Sequence, residues 1–243
     1  MQHNHQAAIS YADGHTIVGV LGGMGPEATV TFMQRVIDAT PAEDDFDHVH
    51  MIVDSNPKVP SRIKALIEGD GENPGPTIAD MSRRLERSGA DFLVMPCNTA
   101  HFYWQDAQDA VGIPVWNIVE RTLDRIAGDM PKASVGMLCS PALRKIQLYE
   151  GFAESRALPL LYPDDENAIL DVIRAVKRGR GRQPDTLSAL ARGAAELKER
   201  GADVLVLACT EFSVIGNALD VSLPVVDSVQ VLAEQVVAAA ARS

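Results

Sequence analysis

The hydrophobic positions of the chain alternate between short packed runs and longer spaced series. Residues 17–21, 49–53, 92–95, 135–138, 158–161 and 204–207 are short, mainly apolar runs. Bounded by Gly, Pro or Asp, they read as buried strands of parallel sheets. Between them apolar residues recur at three- and four-residue spacing, as at Ile78, Met81 and Leu85, the mark of a helix with one buried face. This pattern predicts helices over 28–39, 78–87, 100–111, 119–127, 144–151, 167–176, 188–200 and 228–243. Strand and helix in alternation give the α/β class. Residues 63–76, dense in Gly, Pro and acidic side chains, read as a flexible loop, and 43–47 as a solvated acidic loop.

The pattern repeats. Gly89-Ala90-Asp91 leads into an apolar run that ends on Cys97, and Gly201-Ala202-Asp203 leads into one that ends on Cys209. Each cysteine lies six residues after its Asp. Downstream, Ile113-Pro114-Val115 answers to Leu223-Pro224-Val225; upstream, Ile17-Val18-Gly19-Val20-Leu21 answers to Ser134-Val135-Gly136-Met137-Leu138. The chain therefore reads as two pseudo-symmetric Rossmann-like domains with parallel sheets. One spans 1–116 and is closed by 226–243; the other spans 117–225. A cysteine stands just past the carboxyl end of a strand in each half, where open α/β sheets bind ligands. Two halves facing each other would place two thiols across a cleft.

Composition narrows this. The chain has 243 residues, with 33 acidic against 22 basic side chains and a net charge of −11. That balance argues against a nucleic-acid partner held through phosphates and leaves room for a small anion met by a few local cations. No apolar run approaches the roughly 18 residues of a membrane span. The polar start carries no basic and apolar leader, and three cysteines do not make a disulfide scaffold, so a cytoplasmic protein with free thiols is expected. Residues 1–15 read as a frayed tail, and His3, His5 and His15 as solvated rather than metal-binding. Gly22-Gly23-Met24-Gly25-Pro26 is a tight strand-to-helix turn whose amides suit an anion, without the spacing of a dinucleotide fingerprint. Asn56 and Arg62 flank a stiff double-proline loop that can aim them at the cleft. The basic cluster 177–182 is a solvated loop or sends one cation to the same place.

The two cysteines admit three readings. Each is a small buried hydrophobe at a strand end; or Cys97 and His101, four apart, share a metal; or the thiols form an acid–base pair. Zinc needs more ligands, and no His follows Cys209. Packing alone does not require the polar Asn98-Thr99 and Thr210-Glu211 that follow the two sulfurs. A thiol, with an ordinary pKa of about 8.5, serves as proton donor or acceptor near neutral pH. One thiolate taking a proton from a carbon while the opposite thiol returns one inverts a stereocentre.

At these residues the chain resembles the aspartate/glutamate racemase family, in its aspartate racemase branch of cofactor-independent amino-acid racemases. The motifs are Leu21-Gly22-Gly23-Met24-Gly25-Pro26-Glu27-Ala28-Thr29, Asp54-Ser55-Asn56-Pro57, Met95-Pro96-Cys97-Asn98-Thr99-Ala100-His101 and Cys209-Thr210-Glu211. The resemblance implies two α/β domains with the site between them, racemisation of aspartate and possibly glutamate without cofactor or metal, and a homodimer. It implies Cys97 and Cys209 as the catalytic pair, and Arg62 and Lys177 as the grip on the side-chain carboxylate. Met24, Asn56, Asn98, Thr99 and Thr210 are implied to bind substrate, with Glu211, His101 and Ser140 in support. Two places depart from the family pattern: Ala208 stands where Gly is usual before the second cysteine, and Cys139-Ser140-Pro141-Ala142 replaces a Thr-containing turn. Alternatives are hydantoin racemisation, maleate isomerisation or malonate decarboxylation on the same framework, or a non-catalytic dicarboxylate-binding protein. Two cations favour a dicarboxylate over a hydantoin, and two thiols favour an enzyme.

Overall fold

The computed structural model describes residues 15–216 and 221–241; His3 and His5 lie outside them. The first half runs β1 (Ile17–Gly22), α1 (Pro26–Ala39), β2 (His50–Ser55), α2 (Gly75–Arg87), β3 (Phe92–Val94) and α3 (Trp104–Asp109). The second runs α4 (Ile118–Asp129), β4 (Val135–Cys139), α5 (Pro141–Lys145), α6 (Glu150–Glu154), β5 (Leu160–Leu161), α7 (Glu166–Lys177), α8 (Pro184–Glu199), β6 (Val204–Ala208), α9 (Thr210–Ile215) and β7 (Val225–Asp227). α10 (Ser228–Ala240) closes the chain and packs on α1 and α4.

Both sheets are parallel and built on one plan. The first has the order β2-β1-β3, and Val115 bridges Leu93 beside β3; the second has the order β5-β4-β6-β7. Every residue of the central strands β1 and β4 is buried, as expected where helices cover both faces of a parallel sheet. The duplication reaches single atoms. A Cβ on Gly19 would meet Leu93 Cδ2 at 2.4 Å, with Ala90 and Leu85 next; a Cβ on Gly136 would meet Leu205 Cδ2 at 2.8 Å, with Ala202 and Leu197 next. A helix and a neighbouring strand lean on the central strand at the same point in each half, and only glycine fits beneath them.

The Gly-Ala-Asp motif now has a physical account. Gly89 and Gly201 take φ of 95° and 90°, the left-handed turn that ends a helix. The next amides close back on the helix, Ala90 to Leu85 at 3.2 Å and Ala202 to Leu197 at 3.0 Å. The carboxylates then bind the start of the central strand: Asp91 accepts from the Ile17 amide at 2.6 Å, and Asp203 from the Ser134 amide at 2.8 Å.

Three expectations fail locally. The 63–76 loop contains a π-helical turn, Lys64–Glu68, ended by Gly69 at φ 78°, and α2 already begins at Gly75. Lys145 of α5 donates to the Ile67 carbonyl at 3.0 Å, tying this turn to the other half. The single helix over 100–111 is a 3-10 turn, Thr99–Tyr103, followed by α3. The Cys97 carbonyl, which would accept the residue-101 amide in an α-helix, is taken by His101 Nδ1 at 2.9 Å. The helix over 144–151 is two short ones, because Pro141 starts α5 and Gln147 adopts a φ of 51° between α5 and α6. A shared core, including Val18, Val20 and Val94 from one sheet and Val135, Met137 and Val206 from the other, closes around α4 and α10. Among the described residues no helix is long and apolar enough to cross a membrane.

Candidate active site

The structure brings both repeat cysteines to one cavity. Cys97 lies three residues beyond β3, and Cys209 caps α9 directly after β6. Both are free, and each is 6% exposed. The cavity between them is small, about 30 Å³. Met24, Arg62, Thr99, Ser140, Lys177 and Glu211, all singled out in the sequence, line it together with Ser61, Ile63 and Ile173. Outside lies a second cavity of about 440 Å³, which shares Ser61, Arg62, Lys177 and Glu211 with the first. Those four side chains border both cavities, the smaller the inner chamber and the larger the outer.

The electrostatics are uneven. Cys209 Sγ donates to Glu211 Oε2 at 3.0 Å, and Glu211 Oε1 pairs with Lys177 Nζ at 3.3 Å. Burial pushes the Cys209 thiol well above its ordinary range; the Glu211 carboxylate adds to this and Lys177 opposes it. Cys209 is therefore held as a thiol with its proton directed at a carboxylate. Lys177 is the one member of the basic cluster 177–182 among the residues lining the cavity, carried there by the last turn of α7. Arg62 donates from Nη1 to the carbonyls of Val59 at 3.3 Å and Pro60 at 3.0 Å, and from Nη2 to that of Met24 at 2.9 Å. Three of about five guanidinium donors thus fix the side chain to the backbone of the proline loop and the first turn.

That first turn is shaped by Thr29, whose hydroxyl accepts from the Gly23 amide at 2.8 Å and donates to the Gly25 carbonyl at 3.1 Å. The Gly23 amide is thus committed internally, against the expectation of a turn with amides open to an anion. Gly23 has φ 84°, and a Cβ there would lie 2.3 Å from the Asn56 carbonyl carbon, so the first turn and the proline loop meet backbone to backbone.

Four predicted site residues lie elsewhere. Asn56 does not line either chamber; its Oδ1 accepts from the Lys58 amide at 2.9 Å, a turn contact of the kind Asn makes two residues on. Asn98 is buried with its amide engaged by Tyr149 and Ser228. Thr210 turns its hydroxyl to the Pro96 carbonyl at 3.1 Å. His101 Nε2 accepts from the Ile118 amide at 3.1 Å while Nδ1 faces the Cys97 carbonyl. This pattern fixes the tautomer with the proton on Nδ1. Burial pushes the imidazole down to about 4, against the opposing pull of the Cys97 and Trp116 carbonyls. Both ring nitrogens are committed, so the Cys97–His101 metal reading fails on this geometry; among the described residues no group of three or more His, Cys, Asp or Glu is placed to hold a metal. Cys139, the third cysteine, ends β4 outside the cavity, with its thiol pushed up by burial.

Residues 21–236 match the family described as Asp/Glu/Hydantoin racemase. The chain belongs to that family. Among its relatives, the broad specificity amino-acid racemase RacX of Bacillus subtilis (strain 168) is 30% identical over 229 residues, 91% of this chain and 96% of that protein. Of solved structures, the aspartate racemase of Picrophilus torridus superposes with a TM-score of 0.80 at 30% identity, covering 93% of this chain and 94% of that one. Glutamate racemase isoform RacE1 of Bacillus anthracis shares the fold, with a TM-score of 0.66 at 18% identity over 94% and 82% of the two chains. Family membership makes the chain an isomerase of the amino-acid racemase type. Sequence reasoning missed Tyr149, Ser228 and Ser61; Ser61 adjoins Arg62, whereas Tyr149 sits between two short helices with no pattern to flag it.

Proposed function

We propose that the protein interconverts L- and D-aspartate without a cofactor, by proton transfer between Cys97 and Cys209 on opposite faces of the α-carbon. The observation that carries this is the pair of buried thiols on one small cavity with Arg62 and Lys177 in its wall. Cys209, held as a thiol by burial and Glu211, is the proton donor of the resting form. Cys97, as thiolate, takes the α-proton. The electron pair left on the α-carbon then accepts the Cys209 proton from the opposite face, and the enzyme ends with Cys97 protonated and Cys209 ionised. The Arg62 donors not held by the backbone bind a substrate carboxylate, since a buried carboxylate needs a cationic partner. An amino acid exceeds the inner chamber, so the four side chains that border both chambers move to admit it and close to exclude water.

A second reading concerns breadth. Lys177 already faces Glu211, which leaves one uncompensated cation, and Val59, Val176 and Val214 line the outer chamber. Such a wall suits neutral side chains too, and the Bacillus subtilis relative is described as a broad specificity racemase. Chiral chromatography of all the common amino acids, each incubated as a pure enantiomer, separates the two. Conversion confined to aspartate and glutamate supports the first reading, and conversion of neutral amino acids at similar rates supports the second. No conversion of any amino acid overturns both.

A further inference from the structure

The two thiol-bearing segments are bonded to each other through buried neutral groups outside the cavity. Thr210, the residue after Cys209, donates to the carbonyl of Pro96, the residue before Cys97, at 3.1 Å. Asn98, the residue after Cys97, donates from Nδ2 to Ser228 Oγ at 2.9 Å, and Ser228 donates to the carbonyl of Leu207 at 2.8 Å, two residues before Cys209. Tyr149 donates to Asn98 Oδ1 at 2.5 Å. Thr210 is 2% exposed, Asn98 1%, and Tyr149 and Ser228 are fully buried. Each cysteine is thus flanked on both sides by positions tied to the other half.

We propose that Tyr149, Asn98, Ser228 and Thr210 are positioning residues: a buried brace that fixes the separation of the two sulfurs across the α-carbon. The proposal rests on the two-thiol reading above. All four hydrogen bonds join protein groups and none reaches a sulfur, so the brace acts through geometry. Burial pushes the Tyr149 hydroxyl well above its ordinary range, so it stays a donor across the pH of any assay. In a two-base reaction the second sulfur must lie opposite the first when the proton leaves. Misplacement by about 1 Å is enough to lower the rate by about 10²-fold. Tyr149→Phe keeps the ring and removes the bond that holds Asn98, and Ser228→Ala cuts the link to Leu207.

The test is racemisation of L-aspartate in heavy water, followed by proton NMR for α-proton exchange and by chiral chromatography for inversion. Tyr149→Phe is expected to lower kcat by about 10²-fold with KM nearly unchanged. It should also raise the ratio of exchange to inversion: with the second sulfur displaced the carbanion waits, the proton on Cys97 has time to exchange with solvent deuterium, and the carbon takes a deuteron back on the face it was deprotonated from. Thr210→Val should do the same, and Thr210→Ser, which keeps the hydroxyl, should recover most of the rate. An unchanged kcat in both Tyr149→Phe and Thr210→Val overturns the brace. So does a loss of rate at constant exchange-to-inversion ratio that merely follows a lowered Tm. If a single cysteine-to-alanine variant of the otherwise native chain still racemises, it is the two-thiol reading that falls, a result distinct from either.

Discussion

The two halves repeat a backbone and diverge at the sulfur. Around Cys97 the contacts run through the main chain: His101 holds the Cys97 carbonyl with one nitrogen and the first amide of α4 with the other. Around Cys209 the contact is to the thiol itself, through Glu211 and on to Lys177. The repeat glycines, aspartates and strand registers are duplicated because both sheets need them. On the two-thiol mechanism proposed above, the neighbours of the sulfurs are free to differ, since the shared requirement would be only that one group gives a proton while the other takes one.

The comparison breaks most completely if the thiols themselves are removed. Cys97→Ala and Cys209→Ala should each lower racemisation by about 10²–10⁴-fold, the range for loss of a positioned acid or base, with the circular dichroism of the fold retained. Equal losses in both variants are expected, since either sulfur alone completes half a reaction. Next comes the shared cation. Arg62→Ala should cost about 2–5 kcal/mol in kcat/KM for aspartate and less for alanine, and Arg62→Lys should recover only part, because the planar fork is lost. Equal losses for both substrates would show that Arg62 does not read the side chain.

Two further predictions sharpen each side separately. On the Cys97 side, an unfolded chain protonates His101 below its ordinary 6.5, while the folded chain does so only below about 4. Stability present above pH 6.5 should therefore be lost as pH falls towards 4, by roughly 3 kcal/mol at most. Urea unfolding at neutral and acid pH should show that dependence in the native chain and a flatter one in His101→Gln. On the Cys209 side, Glu211→Gln removes a carboxylate that raises the thiol. Thiolate should then form at lower pH, read by ultraviolet absorbance in a Cys97→Ala, Cys139→Ala background. No downward shift would mean that burial alone holds Cys209 protonated.

Much of this architecture is legible in the sequence because it rests on short local motifs. Gly-Ala-Asp followed by an apolar run states a helix end, a staple to the central strand and a buried strand, and it does so twice. Cys97 and Cys209 stand at the ends of such motifs, with Thr99 just after the first; Arg62 follows the proline loop and Lys177 ends α7, and all five reach the cavity. Asn98 and Thr210 stand equally close in sequence and do not, because a side chain one residue from a strand-end cysteine turns away from it into the surrounding packing. The π-helical turn at Lys64–Glu68 was hidden for another reason. Its flanking glycines and prolines read as loop, and the contact it receives from Lys145 comes from far away in the chain. Likewise, the 3-10 turn after Cys97 follows from a His side chain competing for a carbonyl, which hydrophobic spacing does not register.

The small size of the inner chamber carries a kinetic consequence. On the two-thiol mechanism every L-to-D turnover leaves the protein in the mirror protonation state, ready for a D molecule and unready for another L. To accept a second L, a proton must travel from Cys97 back to Cys209. In so small a cavity, few proton carriers would stand between the two sulfurs. On that mechanism the protein would keep a memory of the last molecule it converted, and at saturating substrate the erasure of that memory would compete with chemistry for control of the rate.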